Sequence, residues 1–167
     1  KQDVWSYAPY IFSGMIVWEF FVSTLNGGSL AFVQADAYIK QQRYPLAIYT
    51  LRTVLANITI LLLASIPLVG WALIVRPQSV GWPLISILLA FPLLALVAWP
   101  AATCLAYIAT RFRDVPHAMG LVLQAMWFVS PIYLDVSFFR RGGLDALVDT
   151  NPIYHALELF RAPLLRG

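Results

Sequence analysis

Apolar residues fill this chain in blocks far longer than a β-strand, and the charges fall between the blocks. From Arg52 to Arg76, and again from Arg76 to Arg111, no Asp, Glu, Lys or Arg intervenes. A bilayer core of about 30 Å needs roughly 20 apolar residues as α-helix, and each gap exceeds that. Runs such as Ile58 to Leu63 lack the every-second-residue alternation of a membrane β-strand. The pattern predicts an all-α membrane protein, a polytopic transmembrane helix bundle forming a single domain over 1–167. Its spans are expected at about 7–33, 46–75, 82–110 and 115–134.

Local signals punctuate these blocks. Asn26-Gly27-Gly28 is a weak point at which the first helix is expected to bend or end early. A polar connector from Ala35 to Tyr44 follows, and Pro45 suits the opening of the second span. Pro83, Pro92 and Pro100 predict kinks in the third span, repaired by neighbouring helices. Ser130-Pro131 interrupts the fourth span near its far end. The last stretch, Asp135 to Gly167, is mixed in polarity, with a turn at Arg140-Arg141-Gly142-Gly143. Asn151-Pro152 reads as an N-cap and first helical residue. The helix after it places Ile153, Leu157 and Phe160 on one side, with Glu158 and Arg161 off that line. It is too short and polar to span, so it is either an interfacial helix or a re-entrant pair with Leu144 to Val148.

Composition agrees with the pattern. Hydrophobic residues make up 60% of the chain and charged residues only 11%, against about 25% charged in a soluble domain. Mean hydropathy is +0.75. The net charge of +3 does not point to nucleic acid, because no basic cluster exceeds Arg140-Arg141 and the basic residues sit at span ends. Cys104 lies mid-span and, as a single cysteine, excludes an internal disulfide. His117 and His155 fall on opposite sides of the predicted bundle, so no metal site is expected. The chain begins at Lys1 and ends at Gly167 without a polar tail, and further residues are expected at both ends. The short loops place Lys40, Arg43, Arg52, Arg111 and Arg113 on one side and Lys1 and Arg76 on the other. The excess marks the first side as cytoplasmic, although the tail arginines oppose it.

An ordered set of short motifs runs through the chain: Trp18-Glu19-Phe20-Phe21, Tyr38-Ile39-Lys40-Gln41-Gln42-Arg43-Tyr44-Pro45, Phe112-Arg113-Asp114, Ser130-Pro131-Ile132, Asn151-Pro152 and Phe160-Arg161. The series resembles ABC-2 type permeases, specifically the branch that exports O-antigen, capsule and teichoic-acid polysaccharides. Tyr38 and Tyr44 stand where that family more often has Leu and Phe. The resemblance implies six spans, of which these four are the second to fifth, so a first and a last span are missing here. It also implies a bacterial inner-membrane location with the Lys40 connector and Arg113 in the cytoplasm, and action as a homodimer with a separate ABC ATPase. The chain has no Gly-x-x-x-x-Gly-Lys-Ser/Thr loop to cradle phosphates. No cofactor is therefore expected in it, with ATP and Mg bound by the partner subunit.

Each candidate residue carries two readings. By the resemblance, Asp36, Tyr38, Lys40, Arg43 and Arg113 couple the chain to the ATPase; by residue type alone, the connector is a solvated loop and Arg113-Asp114 a helix-end ion pair. Glu19 at mid-membrane is either a hydrogen-bonded carboxyl at a helix interface or a polar point on a conduit, with Ser23 four residues along the same face. Trp18, Phe21, Trp127 and Phe128 are either packing residues or a path for sugar rings, whose CH groups attract aromatic faces without a geometric lock. Pro131, Asn151, Pro152, Leu157, Phe160 and Arg161 form either an extracytoplasmic gate or a passive surface helix.

The combined expectation is the transmembrane subunit of an exporter of a lipid-linked polysaccharide, contacting membrane lipids and a second copy of itself, and making or breaking no covalent bond. One rival is an exporter of a small lipid-like molecule, drug or lipo-oligosaccharide. Another is an intramembrane lipid-modifying enzyme, for which Ser130 and His155 could meet near the outer face, though no third orienting group stands out.

Overall fold

Three long helices carry the bundle. The computed structural model describes residues 4–41, 44–75, 82–130, 132, 143, 149 and 152–165. Among them run α1 (Val4–Gln34), α2 (Asp36–Gln41), α3 (Ala47–Val75), α4 (Trp82–Arg111), α5 (Val115–Val129) and α6 (Pro152–Leu165). Stretches of α1, α3 and α4 are long and apolar enough to cross a bilayer. The expected fourth span stops early. α5 has 15 residues, about 22 Å of helix, short of the roughly 30 Å of hydrocarbon. At Ser130 the backbone turns extended, with φ −86° and ψ 137°, one residue before a proline that disfavours helical geometry in its predecessor.

α1 is the hub, touching α3, α4, α5 and α6. Lipid tails are as apolar as Leu, so helices in a membrane associate through close packing of small residues rather than hydrophobic exclusion. α4 supplies such a row: Ala90, Leu94, Ala98, Ala102 and Ala106 recur every fourth residue and are all buried. Against it lies Gly28 of α1, where an added Cβ would fall 2.5 Å from Ala102 Cβ. The expected weak point at Asn26-Gly27-Gly28 is therefore no break, and α1 runs through it unbroken. At Gly28 the missing side chain lets two backbones meet. Likewise Pro92 and Pro100 sit inside α4 without ending it.

A polar tie adds register. Trp99 Nε1 donates to Thr50 Oγ1 at 3.2 Å, and the Thr50 and Thr103 hydroxyls lie 2.8 Å apart across α3 and α4. Outward, the bundle is clad in Leu55, Ile60, Leu63 and Ile66 on α3 and Leu88, Leu89, Leu96 and Val97 on α4, all exposed. An apolar exterior of this extent suits hydrocarbon, not water.

α6 seats one side in the bundle: Ile153 and Leu157 are buried in the same cluster as Val17, Phe91, Leu94 and Ile132, while His155 and Leu159 are exposed. One expectation for it is corrected. Arg161 belongs to that buried line rather than off it, at 2% exposure. Residues 153, 157 and 161 are one turn apart, so a guanidinium occupies the third position of an otherwise apolar stripe. The segment 144–148, which would pair with α6 in a re-entrant hairpin, lies outside the described residues.

Candidate functional site

The chain reverses between α1 and α3 and between α4 and α5, so α2 and the Arg111-to-Asp114 corner share one end of the bundle. α2 forms because Asp36 and Lys40 sit one turn apart and pair, each with the charge preferred at its own end of a helix. It is pinned by two apolar residues. Ala35 is buried, and Ile39 packs on Ala31, Phe32 and Ala106. The remaining residues face out: Asp36, Tyr38 and Lys40 are exposed, Tyr38 by 67%. Arg113 and Asp114 are exposed at the same end, and they do not form the helix-end ion pair that residue type suggested. Arg43 lies outside the described residues.

From this end a groove of about 790 Å³ climbs between α1 and α3. Gln34, Tyr38, Tyr49 and Arg52 line its α2 end, and Thr53, Asn57, Gly27 and Ser23 continue it toward mid-helix. Beyond Ser23 the line reaches Glu19, exposed on α1, whose Oε1 accepts a hydrogen bond from Ser23 Oγ at 2.9 Å. A second groove, between α1 and α5, takes in Trp18, Asn26, Gln124, Trp127 and Phe128. The strip of α1 between the grooves therefore presents Glu19, Ser23 and Asn26, flanked by Arg52 and Asn57 on one side and Gln124 on the other. Six hydrogen-bonding residues from three helices share one face of a bundle clad elsewhere in Leu and Ile. A carboxylate at mid-span costs about 2.5–3.5 kcal/mol on insertion scales, so this face suits a wet cavity or a protein partner rather than lipid.

The predicted aromatic path divides. Trp18 and Phe21 are each 6% exposed and belong to the core; Trp18 meets Trp127 edge to face at 5.2 Å, and Phe21 meets Phe20 at 5.4 Å. Phe128 alone stands clear, 75% exposed on the rim of the second groove. Glu19 and Ser23 thus come together as expected, while Asn26, Asn57 and Gln124 join them without having been anticipated, and Arg52 faces the groove.

At the far end, Leu157 is wholly buried and Arg161 nearly so. Pro131 and Asn151 lie outside the described residues, and Pro152 and Phe160 are placed only as backbone of α6. Of the enzyme pair, Ser130 is buried, and His155 is exposed with Nε2 2.8 Å from the Asp149 carbonyl.

Comparison with known proteins supports the same assignment. The O-antigen export system permease protein RfbA of Myxococcus xanthus is 23% identical over 168 residues, covering 97% of this chain and 62% of the relative. The chain thus spans less than two thirds of that relative's length. The family model for the ABC-2 type transporter matches residues 1–165. With an all-helical bundle, an apolar exterior and that match over nearly its whole length, the chain belongs to the ABC-2 type transporter family.

Proposed function

We propose that this chain is the membrane-spanning part of an ABC exporter that moves a lipid-linked polysaccharide, of O-antigen or teichoic-acid type, across the bacterial cytoplasmic membrane. It acts as a homodimer driven by separate ATPase subunits that bind ATP and Mg. The observation that carries this reading is the polar face running from Arg52 and Gln34 through Asn57 and Ser23 to Glu19. Short polar side chains spread along a helix give a sliding glycan many weak, exchangeable hydrogen bonds. Phe128 on the rim adds a ring surface for sugar CH groups. The role of the Myxococcus xanthus relative as an O-antigen export permease supports the polymer class.

In this reading the α2 end is cytoplasmic. The exposed Asp36, Tyr38 and Lys40, with Arg43 and Arg113, receive the ATPase. Ala35 and Ile39 transmit its movement to the foot of α1. Two polar faces meet across the dimer axis and enclose the path. α6, together with Pro131 and Asn151, closes the outer mouth as a gate.

The test is a strain lacking the gene, complemented with the full-length protein. Wild type should restore the surface polymer. Replacing Tyr38 to Arg43 with Gly/Ser should abolish export, with either loss of the ATPase complex or hydrolysis that no longer drives transport. Unchanged export after that replacement sinks the coupling role. Restored export of a small lipid but no polymer sinks the substrate class.

A further inference from the structure

Arg161 is the largest fully buried side chain described. It rises from α6 into a crevice made by α1 and by the first turn of chain beyond α5. Its Nη2 donates to the Ile132 carbonyl at 2.9 Å and to the Tyr10 carbonyl at 3.2 Å. Its Cζ sits 3.9 Å from the centroid of the Tyr10 ring, within cation–π range. The two carbonyls lie 29 and 151 residues away in sequence, so one side chain joins three elements far apart along the chain.

The crevice is shaped for this group. At Gly14, one turn beyond Tyr10 on α1, an added Cβ would lie 2.1 Å from Arg161 Nη2 and 3.3 Å from Ile132 Cγ2. Any side chain there competes with the guanidinium for the same volume. Each carbonyl also has a reason to be met. Ile132 follows the break at Ser130, where the helical ladder of α5 has ended, and backbone freed at such a break must be satisfied within the protein. The Tyr10 carbonyl is shared with Ser13 Oγ at 2.9 Å. Arginine suits this position because its planar fork places several N–H donors at fixed angles, and its flat face lies on an aromatic ring while its edge donates. Lys has one ammonium on a flexible stem and cannot do both.

We propose that Arg161 is the positioning residue that latches α6 into the bundle, with Gly14 as its keeper, so that outward movement of α6 requires withdrawal of the guanidinium from Tyr10 and Ile132. The proposal rests on the gate reading of α6 given above. Ile153 and Leu157 seat the first two turns of α6 in the apolar cluster, and apolar contact resists separation but tolerates sliding. The directional bonds of Arg161 fix the depth and rotation of the helix. Such a latch keeps the outer mouth shut without polymer, yet it is built of contacts that part cooperatively because they share one side chain.

The experiment uses the full-length protein in membranes with its cassette ATPase, carrying Cys104→Ser and Ala156→Cys, since Ala156 is packed against the core cluster while α6 is seated. The rate of modification by a membrane-impermeant maleimide reports escape of α6 toward water. Gly14→Ala, which keeps Arg161 in the sequence but crowds its guanidinium out of the crevice, and Arg161→Met, which keeps length but loses the donors, should each raise that rate about tenfold or more. Arg161→Lys should fall between wild type and Arg161→Met. Tyr10→Leu removes only the ring and should give a smaller rise of about threefold; it keeps the idea open to refutation where the buried variants fail to accumulate. Equal rates in wild type, Tyr10→Leu and Arg161→Lys overturn the latch. Raised rates with unchanged polymer export uphold the latch and sink the gate.

Discussion

Gly28→Ala asks α1 and α4 to occupy the same space. The new Cβ would stand 2.5 Å from Ala102 Cβ and 3.0 Å from Ala102 Cα. Carbon atoms in contact prefer about 3.5–4.0 Å, so the seam must open by roughly 1 Å. Neither obstructing atom can rotate away, because one is backbone and the other is fixed to it. Overpacking of this kind costs about 1–3 kcal/mol, and the row Ala98, Ala102 and Ala106 also loses dispersion contact as the helices part. A loss near 2 kcal/mol should appear as a lower midpoint in detergent-solubilised unfolding. The compensating change is Ala102→Gly, which removes the nearer atom. The double variant should recover at least about 1 kcal/mol relative to the sum of the single changes. Gly70→Ala is the control: nothing lies within 4 Å of its added Cβ, so the better helix former should stabilise by about 0.5–1 kcal/mol. Additive effects of Gly28→Ala and Ala102→Gly, or a Gly28→Ala protein as stable as the Gly70→Ala one, would falsify the close seam.

Three further expectations test other parts of the molecule. Glu19→Leu should leave stability nearly unchanged and reduce export if Glu19 faces a wet path; a gain of about 3 kcal/mol in unfolding or insertion assays would place it against lipid instead. Thr50→Val removes the acceptor of Trp99 Nε1 and should cost about 0.6–2 kcal/mol, read from the unfolding midpoint; no change there would mean the tie is idle. Lys40→Cys in a Cys104→Ser background should react with an impermeant thiol reagent only in inside-out vesicles, and labelling in intact spheroplasts would reverse the proposed orientation.

The helical spans were legible because charge spacing reports them directly: nothing ionic separates Arg52 from Arg76 or Arg76 from Arg111. The connector was legible as a polar break. Two features were not. Arg161 was read as polar and therefore outward, since sequence periodicity assigns charged residues to a wet face; what buries it is a crevice opened by Gly14 and a carbonyl at Ile132, 29 residues away. The polar face was also hidden. Asn26, Asn57 and Gln124 lie on three helices, and each alone resembles an isolated polar residue within an apolar run. Only the packing of α3 and α5 on either side of α1 turns them outward together.

The central place of α1 bears on how the protein reaches its membrane. Its most apolar window has a mean hydropathy of 1.3, against 2.5 for α3 and 2.1 for α4, because it carries Glu19, Asn26 and a run of small residues. Half of that window is buried, compared with 22% and 33% for the other two. The helix that makes the most protein contacts is therefore the one least suited to sit in lipid alone. During synthesis α1 emerges before α3 and α4, the helices it contacts most, with Ala102 of α4 against Gly28. Its burial is completed only when they arrive, so the hub of this bundle depends on helices made after it.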